Sequence, residues 1–440
     1  MKILFIGVGL TDYINQQLNK LNKEQGIDIY NLVDANGVGH IPAGTHQSRK
    51  GIDFKVIELP GIVCRKYSDW SYWSFGNLAE ALQDIKPDIV VVSERYVRGF
   101  MYDSKVASVS RKLGIKFILK DNPWALERYE IKKGKILRGL CDAEYTPFYV
   151  LYFIRLFERL GLKDSSTLKH VTLGVLRAVG LNTSGRVRSI LLKRLEEKKH
   201  ILNFVGACAS YIEEAYELYG SYGVPREKIF ILYNSPDTDI LFAIREKIEQ
   251  EPPVLPYSPH RVIHVGRLVP WKRVDMLIEA VGELKKEFSD AELLVIGYGP
   301  QEAELKALAR ERGLEARVKF IGGVYDQALL GKYFLASGVY VLAGMGGLSI
   351  NDGMTFGRPI VCSVGDGTEK KLVYEGENGR YFKNGDRADL VKKLQFLFKN
   401  PELLKKMGER STEIIKTKIN IHTVINGYRQ AFDYVLKLQR

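Results

Sequence analysis

The stretch HVGRLVPWKRVD, His264 to Asp275, decides how this chain is read. An apolar run from Arg261 to Val265 ends at Gly266, and Arg267 follows at once. A short loop with Pro270 leads to Lys272, and an amphipathic helix is predicted from Val274 to Phe288. The pattern is strand, glycine turn, helix. A glycine at a strand end lets the backbone come close to a ligand. The helix start that follows offers unused N–H groups to an anion. Arg267 and Lys272 add two positive charges at the same mouth. That combination suits a diphosphate; the rival reading is two surface cations beside an ordinary turn.

The same rhythm continues after this stretch. Strands are predicted at Glu292–Ile296, Val318–Ile321, Val339–Leu342, Pro359–Cys362 and Arg380–Phe382, with helices between them. Alternation of this kind predicts a parallel sheet covered by helices on both faces. Three further glycine-bearing loops end strands of this half: IGYGP (Ile296 to Pro300), FIGGV (Phe320 to Val324) and AGMGGLSINDGMTFGRPIV (Ala343 to Val361). Gly346, Gly347, Leu348 and Ser349 in the third make a nest of N–H donors for anionic oxygen. Asp352, in the first turn of the next helix, is placed to accept hydrogen bonds from two sugar hydroxyls. Its simpler role is an acid favourable at a helix N-terminus.

The first half repeats the architecture without repeating the sequence. Apolar runs lie at Ile3–Ile6, Ile29–Val33, Lys55–Leu59, Asp88–Val92 and Lys116–Leu119, with helical stretches at Phe75–Ile85 and Ser104–Leu113 among them. Gly7 and Gly9 follow the first run, where a parallel sheet binds its ligands; an incomplete GxGxxG reads equally as a tight turn. Pro147 to Leu202 holds no clear strand. The sheet pattern resumes at Asn203–Ala207, then a helix at Tyr211–Tyr219 and a run at Ile229–Tyr233. The proline-rich segment 246–260 is the expected linker. The expected division is a first domain at 1–245 with a basic helical insertion at 147–202, a second at 261–420, and a last helix at 421–440.

Charge narrows the partners. The chain carries 65 Lys and Arg against 52 Asp and Glu, a formal +13, which favours anionic ligands. The surplus concentrates between Lys120 and Lys199, with seventeen basic residues against nine acidic ones. Phe148 to Leu162, FYVLYFIRLFERLGL, mixes large apolar residues with Arg155 and Arg159. It reads as an interfacial helix meeting an anionic membrane through 148–163, or as a helix packed on the sheet. No run of ~18 apolar residues is long enough to span a bilayer. A nucleic-acid partner is excluded, because no aromatic-basic platform or helix-turn-helix accompanies the charge. Four scattered cysteines suggest neither a disulfide framework nor zinc, and so a reducing, cytoplasmic setting. The opening MKILFIGVGLTD reads as a first strand, not a signal peptide.

Taken in order, VGRL…K, GxGP, FxGxV and the closing GxPIV resemble the retaining family-4 glycosyltransferases of the GT-B fold. The resemblance covers most of Asn203 to Leu438 and is strongest from Val262 to Phe382; residues 1–202 fit only in outline. It implies two doubly wound Rossmann-like α/β domains facing a cleft. It implies a hexosyltransferase-like enzyme that moves a sugar, with retention, from a nucleotide-sugar to a glycan or lipid-linked glycan acceptor. No cofactor or metal is implied. Arg267 and Lys272 would grip the diphosphate, and Asp352 would hold the ribose. Gly266 would approach the donor, and Val324 would lie against the base. Gly346, Gly347, Leu348 and Ser349 would present N–H groups, and Gly7 and Gly9 would close over the diphosphate. Preorganised cations and N–H donors stabilise the charge that builds on a departing diphosphate. The one DxD string, Asp237-Thr238-Asp239, falls at an interdomain loop acid of the family and is rejected as a metal site.

Departures from the family accompany the match. Gly344 and Asp352 stand where the family usually has two glutamates, so donor choice is open. Where a first-domain histidine is common, this chain has Lys120 and Asp121, which face the acceptor or form a plain loop pair. The alternatives are an inactive sugar-nucleotide-binding subunit of a transferase and a sugar-nucleotide epimerase on the same fold.

Overall fold

Two apolar runs, ILFI at Ile3–Ile6 and VIHV at Val262–Val265, become the inner strands around which the two halves are wound. The computed structural model describes residues 1–35, 47–67, 70–123, 126, 131–132, 135–136 and 185–437. The strands are β1 (Lys2–Ile6), β2 (Asp28–Asp34), β3 (Lys55–Leu59), β4 (Ile62–Tyr67), β5 (Trp70–Phe75), β6 (Ile89–Val92), β7 (Lys116–Asp121), β8 (Ile131–Lys132) and β9 (Lys135–Ile136). They continue with β10 (Ala207–Ser210), β11 (Ile229–Ile231), β12 (Ser258–Val265), β13 (Glu292–Ile296), β14 (Val318–Gly322), β15 (Ser337–Leu342), β16 (Ile360–Cys362) and β17 (Gly379–Tyr381).

Seven of them form one parallel sheet, ordered β11-β10-β7-β6-β1-β2-β3, and six form a second, ordered β14-β13-β12-β15-β16-β17. Both faces of each sheet are covered, so inner strands carry nearly continuous apolar runs, with few polar residues such as Asn31, Lys120 and His264 buried among them. In β1, Leu4 and Ile6 belong to one core and Ile3 and Phe5 to the core on the other face. In β12, Val262 and Ile263 divide in the same way. Each sheet reverses its winding direction at one place: between β1 and β6 in the first, and between β12 and β15 in the second. A parallel sheet opens a crevice at such a point, outside the carboxyl ends of its strands.

Several expected boundaries move. Asn203–Ala207 is not a strand: the helix Gly185–Phe204 runs through its first residues and β10 begins at Ala207. The apolar residues Leu202 and Val205 are buried in the core, which produced the strand-like pattern. Phe75–Ile85 is not one helix. Phe75 closes β5, paired antiparallel with β4, and the helix starts at Leu78. Residues 238–245, expected in the first domain, and 246–248, expected in the linker, form one helix, Thr238–Ile248, whose later part packs on the second core: Ile248 lies in that core, and Arg245 donates to the Thr355 carbonyl at 2.8 Å. The helix's first residues still touch the first domain, Asp239 pairing with Lys20, and the proline-rich stretch leads into β12. The helix Ile421–Lys437 lies on the first sheet, with Tyr428 edge-on to Phe5 at 5.7 Å.

The greater part of the expected insertion, including Phe148 to Leu162, lies outside the described residues. Among the described residues no helix is long and apolar enough to cross a membrane.

Candidate functional site

The two crevices face one another and form a single cavity of 570 Å³. The first domain lines it with Gly7, Val8 and Gly9 after β1 and with Ser93, Arg95 and Tyr96 after β6. The second contributes Gly266, Arg267 and Lys272 after β12 and Gly346 to Ser349 after β15. Nine of the residues singled out by sequence thus meet at one place: Gly7, Gly9, Gly266, Arg267, Lys272, Gly346, Gly347, Leu348 and Ser349.

Backbone packing positions the cations. Gly297, in the GYGP turn, has φ of +140° and lies against the Gly266 carbonyl so closely that a Cβ would overlap it. The turn is then stitched to the VGRL loop, Leu268 N–H donating to the Tyr298 carbonyl at 3.0 Å and Gln301 N–H to the Leu268 carbonyl at 3.1 Å. Lys272 closes a short 3-10 turn, Pro270–Lys272, and is almost wholly buried. Its ammonium donates to the carbonyls of Met345 (2.8 Å) and Gly346. An ammonium has three donors, so one remains for the cavity. Burial pulls the Lys272 pKa down to about 8, helped by the Arg267 guanidinium and opposed by Asp366. Arg267 is half-buried with its guanidinium 5.7 Å from the Trp271 ring centre.

The third loop is open where the cations point. Among the described residues, no protein acceptor takes the N–H of Gly346, Gly347, Leu348 or Ser349. Beneath the loop, the Ser349 hydroxyl is tied to the Tyr340 hydroxyl at 2.6 Å. These residues are half-buried, with Gly347 exposed, so the four successive N–H groups without a protein partner open toward the cavity and, beside two cations, form a cradle for anionic oxygen. His264 lies behind it, fully buried. Burial and the Lys272 charge hold its pKa down to about 4, so it is neutral. It donates from Nδ1 to the Val341 carbonyl, and its Nε2 has no partner among the described residues.

The remaining expected residues stand apart from this cavity. Asp352 sits one turn into the helix Ser349–Thr355; its carboxylate has no side-chain partner among the described residues, and burial raises its pKa to about 7. Val324 packs against the second core, next to the exposed Tyr325. Lys120 and Asp121 are strand residues of β7, not a loop pair, and their side chains go to opposite faces. Lys120 is buried with its amine 5.5 Å from the Tyr211 ring and 5.6 Å from the Tyr428 ring. Asp121 accepts from Lys198 at 3.1 Å, and Lys198 also holds Glu94 at 2.7 Å. Burial keeps the Asp121 carboxyl above the ordinary range against the pull of Lys198.

The DxD string is already occupied. Asp237 caps the helix Thr238–Ile248 by accepting from Asp239 N–H, and Asp239 pairs with Lys20 and His422. No group of three or more metal-ligating side chains occurs among the described residues.

A second, smaller cavity of 290 Å³ shares Tyr13, Gly347 and Leu348 with the first and adds Asn122, Asn234, Asp366 and Thr368. Asn122 reaches across the domains to the Asp366 carbonyl at 3.4 Å. Sequence reasoning missed Asp366; its signal was the glycine-flanked acid in SVGDGT after β16. It also missed Arg95, which no motif marks.

Two parallel-sheet domains whose crevices meet across an anion cradle define the GT-B class. Residues 246–414 match the family described as glycosyl transferases group 1. An uncharacterized glycosyltransferase of Haemophilus influenzae is 33% identical over 174 residues, 38% of this chain and 47% of that one. The alpha-D-kanosaminyltransferase of Streptomyces kanamyceticus is 29% identical over 168 residues, 36% of this chain and 42% of that one. The chain therefore matches less than half the length of each of these relatives. The crystal structure of Anabaena HepE in complex with UDP superposes with a TM-score of 0.61 at 15% identity, covering 98% of this chain and 100% of that one. That likeness concerns the fold.

Proposed function

We propose that the protein is a retaining, metal-independent glycosyltransferase that moves a hexosyl group from a nucleotide-sugar to a glycan or lipid-linked glycan acceptor. The observation that carries this reading is the convergence of Arg267, Lys272 and the four N–H groups of Gly346 to Ser349 on one interdomain cavity. Charge develops on the diphosphate as the sugar leaves, and fixed donors in a low-dielectric cleft stabilise it most. Two cations supply what a metal supplies elsewhere. Asp352 accepts the ribose hydroxyls, and Val324 with its neighbours borders the base. The protein acts in the cytoplasm, and contact with an anionic membrane through 148–163 brings it to a lipid-linked acceptor.

Gly344 favours a second reading, a sugar-nucleotide-binding subunit without turnover, because the loop there offers no carboxylate to the donor sugar. One experiment separates the two. Uridine, guanosine and adenosine diphosphate sugars are screened by thermal shift, then donor consumption is followed with the best binder. Turnover that is lost together with nucleotide affinity in the Arg267→Ala/Lys272→Ala double variant supports the transferase. Binding without turnover supports the subunit. Unchanged affinity in the double variant removes both readings.

A further inference from the structure

The first-domain wall of the 570 Å³ cavity is built by an element that the doubly wound sheet does not need. The β4–β5 hairpin lies outside the seven-stranded sheet and docks on the helix Glu94–Tyr102. Two stacked pairs fix it there. Phe75 stacks on Tyr96 with ring centres 5.3 Å apart and planes 24° from parallel, and the Arg95 guanidinium lies 4.3 Å from the Trp73 ring centre. Close approach at Gly99, 2.9 Å from a Cβ position to the Trp73 carbonyl oxygen, leaves room for nothing larger under the hairpin.

The result is a cavity end of distinctive chemistry. Leu32, Val33, Ile62, Phe75 and Tyr96 make it apolar. Into the same space comes Arg95, half-buried, whose guanidinium pairs with no carboxylate among the described residues. Burial holds its pKa below the ordinary guanidinium value, and the group keeps its positive charge. Asp34 lines the same end, and its charge acts on the Tyr96 hydroxyl. A planar guanidinium stacked on an aromatic ring keeps its edge donors aimed, the geometry that matches phosphate or carboxylate. The diphosphate cradle described above belongs to the other domain.

We propose that Arg95, held by Trp73, and the Phe75–Tyr96 wall form the acceptor subsite for a molecule carrying a phosphate or carboxylate beside an apolar portion. This rests on the donor-site reading of Arg267 and Lys272, since it assigns the opposite wall of the same cavity. An acceptor so bound has its anion fixed by Arg95 and its apolar part against the aromatic wall. That orientation leaves a hydroxyl to face the second domain.

The test uses the full chain saturated with uridine diphosphate, or with the guanosine or adenosine diphosphate if that stabilises it better, so the cradle is filled. Hexyl phosphate, hexanoate, inorganic phosphate and hexyl glucoside are then titrated against wild type, Arg95→Lys, Arg95→Gln and Arg95→Met. The expected result is that hexyl phosphate or hexanoate binds wild type at least ~10-fold more tightly than hexyl glucoside. Arg95→Gln and Arg95→Met lose that preference, Arg95→Lys keeps part of it, and all keep their nucleotide affinity. Equal binding of charged and uncharged probes by wild type overturns the proposal. Loss of nucleotide affinity in Arg95→Gln also overturns it, by assigning Arg95 to the donor. Inorganic phosphate binding as tightly as hexyl phosphate removes the apolar half. If no nucleoside diphosphate stabilises wild type, the donor reading falls and this inference falls with it.

Discussion

The carbonyl oxygen of Trp271 accepts the N–H of Met345 at 2.9 Å, pressing the turn that carries Lys272 flat against the loop after β15. Gly344 sits under that contact. A Cβ there would overlap the Trp271 carbonyl and come within 2.9 Å of the Lys272 carbonyl carbon. The glycine is therefore not merely a missing glutamate: the space a side chain would leave by is taken by backbone. Gly344→Ala is expected to lower stability by about 1–3 kcal/mol, the usual cost of forcing atoms into packed backbone. Because the clash displaces Lys272, nucleoside diphosphate affinity falls as well. Urea denaturation and a nucleotide titration on the same preparation measure both. Wild-type stability and affinity in Gly344→Glu would show that the Trp271 turn is free to move.

Two groups that the proposed function uses change charge close to neutrality, in opposite senses. Lys272, at about 8, is protonated below that pH, the form that function needs for gripping a diphosphate. Asp352, at about 7, is ionised above that pH, the form that function needs for accepting ribose hydroxyls. Nucleotide affinity is expected to peak between about pH 7 and 8 and to decline on both sides. Asp352→Asn removes the acid limb and weakens binding ~10-fold or more, since the lost hydrogen bonds are to a charged group. Lys272→Met removes the alkaline limb. Without nucleotide the Asp352 sign reverses: its raised pKa means that ionisation costs stability as pH rises from about 4 to 7. Asp352→Asn is thus expected to be the more stable unliganded protein at pH 8. Calorimetric titration from pH 6 to 9 checks the affinities; an acid limb that survives in Asp352→Asn rules out this assignment.

The second domain's share of the cavity wall was legible because it is local. A strand, a glycine and a cation lie within a few residues of each other in HVGRLVPWK, and in the loop after β15 Gly344, Gly346 and Gly347 lie as close to the start of the next helix. The first domain's share was harder to read. Arg95 reaches the cavity through a stacking contact with Trp73, twenty-two residues earlier, on a hairpin whose strands carry no alternation of apolar and polar residues. Phe75, the last residue of WSYWSF, reads as the start of a helix until its pairing with β4 is seen. The helix Thr238–Ile248 misled for a similar reason. Its sequence gives helix propensity but not the partner, and the partner, Phe356 and Ile263 with their neighbours, comes from far along the chain. Lys120 and Asp121 look adjacent in function, yet β geometry sends successive side chains to opposite faces.

The DxD string gives a direct test of metal independence. Asp237 is a helix cap and Asp239 is held by Lys20 and His422, so neither is placed to share an ion. Nucleotide affinity and sugar transfer are expected to be unchanged in excess chelator. Asp237→Ala is expected to cost about 1 kcal/mol through loss of the cap, with nucleotide affinity intact. A chelator-dependent loss of transfer, restored by magnesium or manganese, would contradict this account.

Lys120 offers a measurement of burial itself. Its amine faces the rings of Tyr211 and Tyr428 and pairs with no carboxylate among the described residues, and burial brings its pKa down to about 7. An unfolded lysine keeps its proton to about 10.4. Below pH 7 both states hold the proton and the folded protein bears the full cost of a buried cation. As pH rises from 7 toward 10 the folded state alone releases it, and stability climbs. The gain between pH 7 and 9.5 is expected to be about 1–3 kcal/mol from this group. Lys120→Met keeps the aliphatic packing and removes the charge. It should therefore be at least as stable as wild type at pH 7 and should lose the difference between pH 7 and 9.5. Urea denaturation at the two pH values, for both proteins, isolates the effect, because every other titrating group is common to them. If Lys120→Met is markedly less stable than wild type at pH 7, the ammonium contributes more in contact with the two rings than it loses in leaving water.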